Sequence, residues 1–167
     1  MHNEFAQECT HLVDQSVARI RHCVEQLSHD QVWWQPAGGV NSIGVLIRHL
    51  AGNLQQWGVD GIAQSADLRD RDAEFHSDLR PSAADLLSQL DAVARQVATT
   101  VAQLSPAALL EGRTIQGFQV SVMGALMHTI PHFVGHTHQI VLLTRMQLGD
   151  DYRFHWDPNA PRDVVPL

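Results

Sequence analysis

The sequence predicts an all-α protein, a four-helix bundle with a long crossover between helices two and three. Apolar residues recur every three or four positions along most of the chain, which is the spacing of one face of an α-helix. The alternating, β-branched pattern of a sheet is weak throughout, and residues 114–122 come closest to it. A length of 167 residues suits one well-buried core, so residues 1–167 are interpreted as a single domain.

The first two helices are separated by a loop of helix-breaking residues. Apolar side chains spaced four and three apart form one seam through residues 3–28, which predicts helix one. Two tryptophans, a proline and a glycine pair follow in residues 29–39, a composition that ends helices. Asn41 and Ser42 are good N-caps, and the helical period after them predicts helix two over residues 42–57.

A charged connection follows helix two. Residues 58–80 contain several charges and little periodicity, which predicts a surface crossover along the end of the bundle. Ser82 followed by Asp85 resembles a capping box, and the apolar seam after it predicts helix three. Helix four is predicted at residues 120–148, with Gly149 as its C-terminal cap.

Prolines lie inside helix four and in the residues that follow it. Pro131 lies inside helix four, where a proline removes one backbone hydrogen bond and clashes with the preceding turn, so a kink is predicted there. The residues after helix four include three prolines. The tail at 149–167 is therefore predicted to lie irregularly across the bundle.

Three histidines on two predicted helices are the candidate functional residues. His132 and His136 lie four residues apart on helix four, so both side chains can reach one ion. His49, on helix two, could complete a facial set of three imidazoles. His128 has the same four-residue spacing to His132, so a competing register or an outer-shell role for His128 stays open. His138 lies roughly 160° around the helix from His136 and is not expected to share the ion.

Composition excludes two classes of partner. The net charge is −7, all 11 basic residues are arginine, and no basic stripe could neutralise phosphates, so nucleic acid is not expected to bind. No apolar run approaches the ~20 residues that a membrane span needs, and no signal peptide is recognisable at the N-terminus. We therefore expect a cytoplasmic protein without a membrane partner.

Two segments resemble the motifs of the DinB-like (YfiT-like) metalloenzyme superfamily, whose members are four-helix bundles. Residues 41–53 resemble the family's first motif, which carries one metal histidine on helix two. Residues 132–140 resemble the second motif, an H-x-x-x-H pair, with His138 in place of a glycine that is usual there. The resemblance covers nearly the whole chain, and residues 71–75 resemble a segment of some members. It implies that the metal ligands are His49, His132 and His136.

Three protein imidazoles leave coordination positions open for water or substrate. Zinc or nickel is expected, and iron(II) is also compatible with such ligands. A metal held in this way can polarise a carbonyl or lower the pKa of a water or a thiol. The resemblance implies a metal-dependent hydrolase or thiol S-transferase that acts on a small molecule, with a low-molecular-weight thiol as one candidate substrate. It also implies a homodimer.

No catalytic residue beyond the metal ligands is identified. The segment between the paired histidines of helix four includes no glutamate, so the HExxH logic of metalloproteases is absent. Asn53 and Gln139 are candidate outer-shell partners of the metal ligands, or else polar residues on a solvated face. Trp33, Trp34 and Phe75 are candidate borders of the substrate site, or else packing anchors.

Two other hypotheses stay open. The first is a bundle that binds metal without catalysis, as a structural or stress-related interaction protein, and a fourth protein ligand such as His128 would favour it. The second is a bundle that binds an apolar ligand and whose histidines bind no metal.

Overall fold

The computed structural model describes residues 2–76 and 78–156, and residues 157–167 of the predicted tail lie outside this described part. Its helices, in chain order, are α1 His2–Val24, α2 His29–Val32, α3 Ile43–Leu54, α4 Gly61–Ala63, α5 Arg71–His76, α6 Ala83–Gln103 and α7 Val122–Leu148. The long helices α1 and α3 each pack against both α6 and α7, which encloses the main apolar core. The mostly helical fold predicted from the sequence is confirmed.

Shorter elements complete the described part of the chain. A π-helical segment joins α3 to α4, and a two-stranded antiparallel hairpin precedes α7. Their bounds are Gln55–Asp60 for the π-helix, Gly112–Ile115 for β1 and Phe118–Ser121 for β2, with 3₁₀ turns at Ala108–Leu110 and Gly149–Asp151.

Serine side chains cap the N-termini of three long helices. Ser42 Oγ accepts a hydrogen bond from the backbone N–H of Val45, which caps α3. Ser82 and Asp85 form the reciprocal capping box that the sequence predicts for α6. Ser121 caps α7 in the same way as Ser42 caps α3. These caps satisfy N–H groups that have no partner within the helix.

The prediction that helix two ends at residue 57 and that residues 58–80 form a surface crossover is wrong in part. Helical backbone continues through the π-helix and α4 to Ala63, and α5 forms a further turn within the connection. A π-helix shifts the helical register, so the apolar pattern no longer follows a 3.6-residue period. Gly58 and Ile62 are nevertheless buried, and Gly58 lies directly against Val97 of α6. Burial against α6 therefore extends the second long helix beyond its predicted end.

The hairpin is a second departure from the prediction. Residues 112–121 form antiparallel strands, whereas the sequence pattern only marks 114–122 as the best strand candidate. Gln116 and Gly117 both have positive φ, 52° and 81°, which is the backbone of a type I′ hairpin turn. Ile115 is buried against Trp57, so packing on the helical body stabilises strands that are short on their own.

α7 runs unbroken through Pro131. Pro131 lies on the exposed side of the helix, where water can hydrogen-bond the carbonyl that the missing N–H leaves free. The helix ends at Leu148, as predicted, and Gly149 follows it with a φ of 54°.

The main core of the described region is mostly aliphatic and includes the aromatic rings of Phe133 and Trp33. Within this part of the chain, no helix is both long enough and apolar enough to cross a membrane. The largest fully buried side chains are Val13, Ile20, Ile43, Ile47, Leu50, Leu54, Leu86, Leu90, Leu126, Ile130, Phe133 and Ile140.

Replacing Gly44 with alanine is expected to destabilise the protein by about 1–3 kcal/mol. A Cβ at Gly44 would come within 2.8 Å of three carbons of the buried Trp33 indole. This overlap outweighs the gain of roughly 1 kcal/mol that alanine brings over glycine in a helix. A Cβ at Gly135, in α7, would meet no heavy atom within 4 Å, so Gly135→Ala is the matched control and is expected to be stabilising. Urea unfolding measures both, and equal stability of Gly44→Ala and wild type would contradict tight packing of Trp33 on α3.

Candidate metal centre

Three histidines from two helices converge at one place. His49 comes from α3, and His132 and His136 come from successive turns of α7. One ring nitrogen of each lies within 4.8 Å of the others, and the Nε2 atoms of His49 and His132 are 2.9 Å apart. Two Zn–N bonds at the tetrahedral angle would place their nitrogens ~3.3 Å apart, so the 2.9 Å between His49 and His132 is close to the separation of two ligands of one ion. Metal binding by this group stays a prediction.

The tautomer of His49 follows from its hydrogen bonds. Its Nδ1 lies 3.0 Å from Glu74 Oε2, and both oxygens of Glu74 accept hydrogen bonds from Arg69. A carboxylate paired with an arginine can only accept, so we assign the proton of the neutral ring to Nδ1, which donates to Glu74. The 3.1 Å approach of Arg69 Nη2 to the same nitrogen then joins two donors and is not a hydrogen bond. This tautomer leaves a lone pair on Nε2, facing His132.

His136 has an acceptor of its own. Gln139 Oε1 lies 2.7 Å from His136 Nδ1, so that nitrogen carries the proton and Nε2 is free to bind a metal. Gln139 therefore hydrogen-bonds a candidate ligand, and its outer-shell role stays a prediction. Asn53, the other candidate, is buried and accepts a hydrogen bond of 2.7 Å from Thr129 Oγ1 instead.

The surroundings keep the two α7 histidines neutral at neutral pH. Burial, followed by the neighbouring charges of His136, His49, His128 and Arg69, lowers the pKa of His132 to about 4. Burial also lowers the pKa of His136, and the hydrogen bond to Gln139 only partly opposes this. A neutral imidazole is the form that binds metal, so protons compete weakly for these two ligands.

Glu74 remains ionised beside them. Its burial favours the neutral acid, but the hydrogen bonds from Arg69 and His49 and the charges of those two groups outweigh burial and lower the pKa. The carboxylate side chain is 9% exposed, and the guanidinium side chain that pairs with it is 5% exposed. The site thus has a buried ion pair behind one of its three imidazoles.

Two other histidines of α7 lie outside the converging group. His128 is exposed, and its ring is stacked on that of His132 with 6.0 Å between centroids. The same ring is tilted against the indole of Trp57 at 4.2 Å. His138 is exposed on another side of the helix, where its Nε2 is 3.5 Å from Arg19 Nη1. The geometry therefore brings together His132 and His136, and not the competing pair of His128 and His132.

Of the aromatic candidates, Phe75 lies at the site and Trp33 lies in the core. Phe75 lies beside His49, with 5.1 Å between ring centroids, so it borders the candidate centre. Trp33 is buried away from it, donates a hydrogen bond to Pro81 O and lies under the guanidinium of Arg48. Trp33 is therefore a packing anchor.

Sequence reasoning missed Glu74 and Arg69. Both belong to the segment predicted as a solvated crossover, and charged residues there gave no sign of burial. The only signal was the resemblance of residues 71–75 to a segment of some DinB-like proteins, which includes Glu74 without assigning it a role.

The fold and the three-histidine group define a mostly helical protein with a candidate metal centre. The chain belongs to the DUF1572 family, described as proteins of unknown function, and the family model matches residues 1–157. No curated protein matches the sequence.

Solved bacterial structures share this fold. A conserved protein from Enterococcus faecalis has a TM-score of 0.73 at 18% identity, covering 86% of this chain and 96% of that one. The DinB-like protein YjoA from Bacillus subtilis has a TM-score of 0.63 at 15% identity, covering 84% and 92%. A DinB-like protein from Bacillus cereus gives 0.63 at 15% identity, covering 79% and 85%. The DinB-like resemblance predicted from the sequence motifs is confirmed at the level of the fold.

Proposed function

We propose that this protein is a metal-dependent enzyme that acts on a small molecule by hydrolysis or by thiol S-transfer. The observation that carries the proposal is the convergence of His49, His132 and His136, with ring nitrogens within 4.8 Å of one another. A site with three protein ligands keeps a coordination position open, which is the arrangement of catalytic zinc rather than structural zinc. Zinc, nickel and iron(II) all suit imidazole ligands, and we expect zinc or nickel.

The donor set fits a divalent metal for a specific reason. His49 and His136 each donate their Nδ1 proton to an outer acceptor, Glu74 and Gln139 respectively, which leaves Nε2 as the ligand atom. When bound, a divalent cation supplies Lewis-acid activation of a water, a thiol or a carbonyl. Phe75 beside His49 and His128 beside His132 are the side chains that we propose to face the substrate.

Two further features of the proposal come from the family resemblance. A low-molecular-weight thiol is the candidate co-substrate, and a homodimer is the candidate assembly. Large apolar side chains exposed on α7 support self-association: Met123, Met127, Leu142 and Met146. Sedimentation equilibrium tests the assembly independently of the chemistry.

A turnover assay tests the proposed activity. Protein loaded with zinc, nickel or iron(II) in turn is incubated with low-molecular-weight thiols and electrophiles, and separately with ester and amide substrates. We expect turnover that a chelator abolishes, that His132→Ala lacks and that His138→Ala retains. Protein that carries one equivalent of metal and turns over none of these compounds would favour the non-catalytic metal-binding bundle.

A further inference from the structure

A buried ion pair lies behind His49, and the four packed helices do not supply it. Glu74 belongs to α5, and Arg69 precedes α5 in the segment between α4 and α6. The neighbours of this pair, including Leu68, Asp70 and Arg71, are exposed, yet the side chains of Arg69 and Glu74 are 5% and 9% exposed. Burying two opposite charges costs desolvation energy, and their mutual attraction often does no more than offset that cost. Stability alone therefore does not account for this pair.

The contacts fix the carboxylate on both of its oxygens. Arg69 Nε donates to Glu74 Oε1 at 2.6 Å, and Arg69 Nη2 donates to Glu74 Oε2 at 2.7 Å. The remaining capacity of Oε2 is used by His49 Nδ1 at 3.0 Å. A bidentate guanidinium leaves a carboxylate little rotational freedom, so its position relative to the imidazole is determined.

Residues from three elements hold this arrangement in place. Arg69 Nη1 donates to Gln56 Oε1 at 2.8 Å, and Gln56 lies in the π-helix. The same oxygen accepts a 2.6 Å hydrogen bond from Gln116 at the tip of the hairpin. On α3, the missing side chain of Gly52 leaves room for the carboxylate, because a Cβ there would overlap Glu74 Oε1.

We propose that Glu74 is a positioning residue for the metal site, with Arg69 holding its carboxylate. Glu74 keeps His49 in the tautomer with the proton on Nδ1 and directs Nε2 toward His132 and His136. This inference rests on the proposed metal site, and it assigns the segment between α4 and α6 a part in forming that site. Outer-shell acceptors of this kind fix the ring orientation and raise the basicity of the ligand nitrogen.

A merely structural ion pair predicts different behaviour. If the pair only attached α5 to the helical body, replacing both charges by apolar side chains of similar volume would leave metal affinity unchanged. Such replacements of buried pairs are often neutral or stabilising. The double variant Glu74→Leu with Arg69→Met therefore removes the acceptor without leaving either charge unpaired.

The experiment measures two quantities on the same variants. Zinc affinity is determined by competition with a chelator, and the protonated nitrogen of His49 is identified in metal-free protein by long-range ¹H–¹⁵N correlation spectra. We expect the double variant to bind zinc about 10–100-fold more weakly than wild type and to lose the preference for the Nδ1 proton. Glu74→Gln, which keeps an oxygen acceptor, is expected to recover part of the affinity.

Two more variants keep the result interpretable. Gly52→Ala retains both charges but displaces the carboxylate, so it is expected to weaken zinc binding even if the double variant does not fold. Asp91→Asn breaks the 2.6 Å ion pair with Arg21, between α6 and α1, and is the control that should change neither quantity. Wild-type zinc affinity together with an unchanged His49 tautomer in the variants would overturn the inference. Absence of zinc binding by wild type would instead defeat the proposed function, while the tautomer of metal-free protein still tests the positioning role.

Discussion

We expect His132→Ala to reduce zinc affinity by more than the ~10–100-fold that changes in outer-shell residues cost. His132 Nε2 is 2.9 Å from His49 Nε2, and the ring centroids of His132 and His136 are 4.4 Å apart. His132 therefore contacts both of the other imidazoles. Its pKa of about 4 keeps it neutral well below neutral pH, so the wild-type ligand needs no deprotonation before it binds. Alanine at position 132 leaves two ligands from two different helices, and His49→Ala and His136→Ala leave the same number.

The measurement is metal content by elemental mass spectrometry, on protein purified without an affinity tag. We expect one equivalent in wild type and little in each of the three variants. His128→Ala is the control on the same face of α7, and His138→Ala is the control on another side of the helix; both should retain the metal. Loss of metal in His128→Ala with retention in His136→Ala would establish the competing register and contradict the convergence of His49, His132 and His136.

The helices could be predicted from the sequence because their determinants are local. An apolar side chain every three or four residues defines the buried face, and Ser42 and Ser82 mark where α3 and α6 begin. His132 and His136 were recognisable for the same reason, since a separation of four residues on one helix places two side chains together. The contribution of His49 from another helix required the fold, or a resemblance to a known one.

Glu74 and Arg69 could not be predicted because their burial depends on the tertiary path of the crossover. A polar segment with several charges is normally solvated, and only contacts distant in sequence decide otherwise. Here Gly52 on α3 admits the carboxylate, and Gln56 in the π-helix accepts from the guanidinium. A search for a 3.6-residue apolar period also misses the π-helix, because its helical register is shifted. The parts of the site that escaped prediction are thus the parts held by side chains of several elements.

Phe133→Ala is expected to destabilise the metal-free protein by about 3–5 kcal/mol, the range for removing a buried phenylalanine ring. Phe133 is fully buried in the main core, although it directly follows His132 in α7. Consecutive residues of a helix point ~100° apart, so the ring of Phe133 lies in the core while the imidazole of His132 lies at the site. The ring thereby anchors the stretch of α7 that carries two of the three candidate ligands.

Urea unfolding of Phe133→Ala, with a chelator and then with excess zinc, separates core stability from site geometry. Because a ligand that binds only the folded state stabilises it, zinc should restore part of the lost free energy of unfolding. Leu142→Ala is the matched control, since Leu142 is 59% exposed on the same helix and its loss should change stability by no more than ~0.5 kcal/mol. A loss in Phe133→Ala no greater than in Leu142→Ala would contradict the core position of the ring. Stabilisation of the folded variant by zinc would show that the α7 backbone can hold His132 and His136 in place without the ring between them.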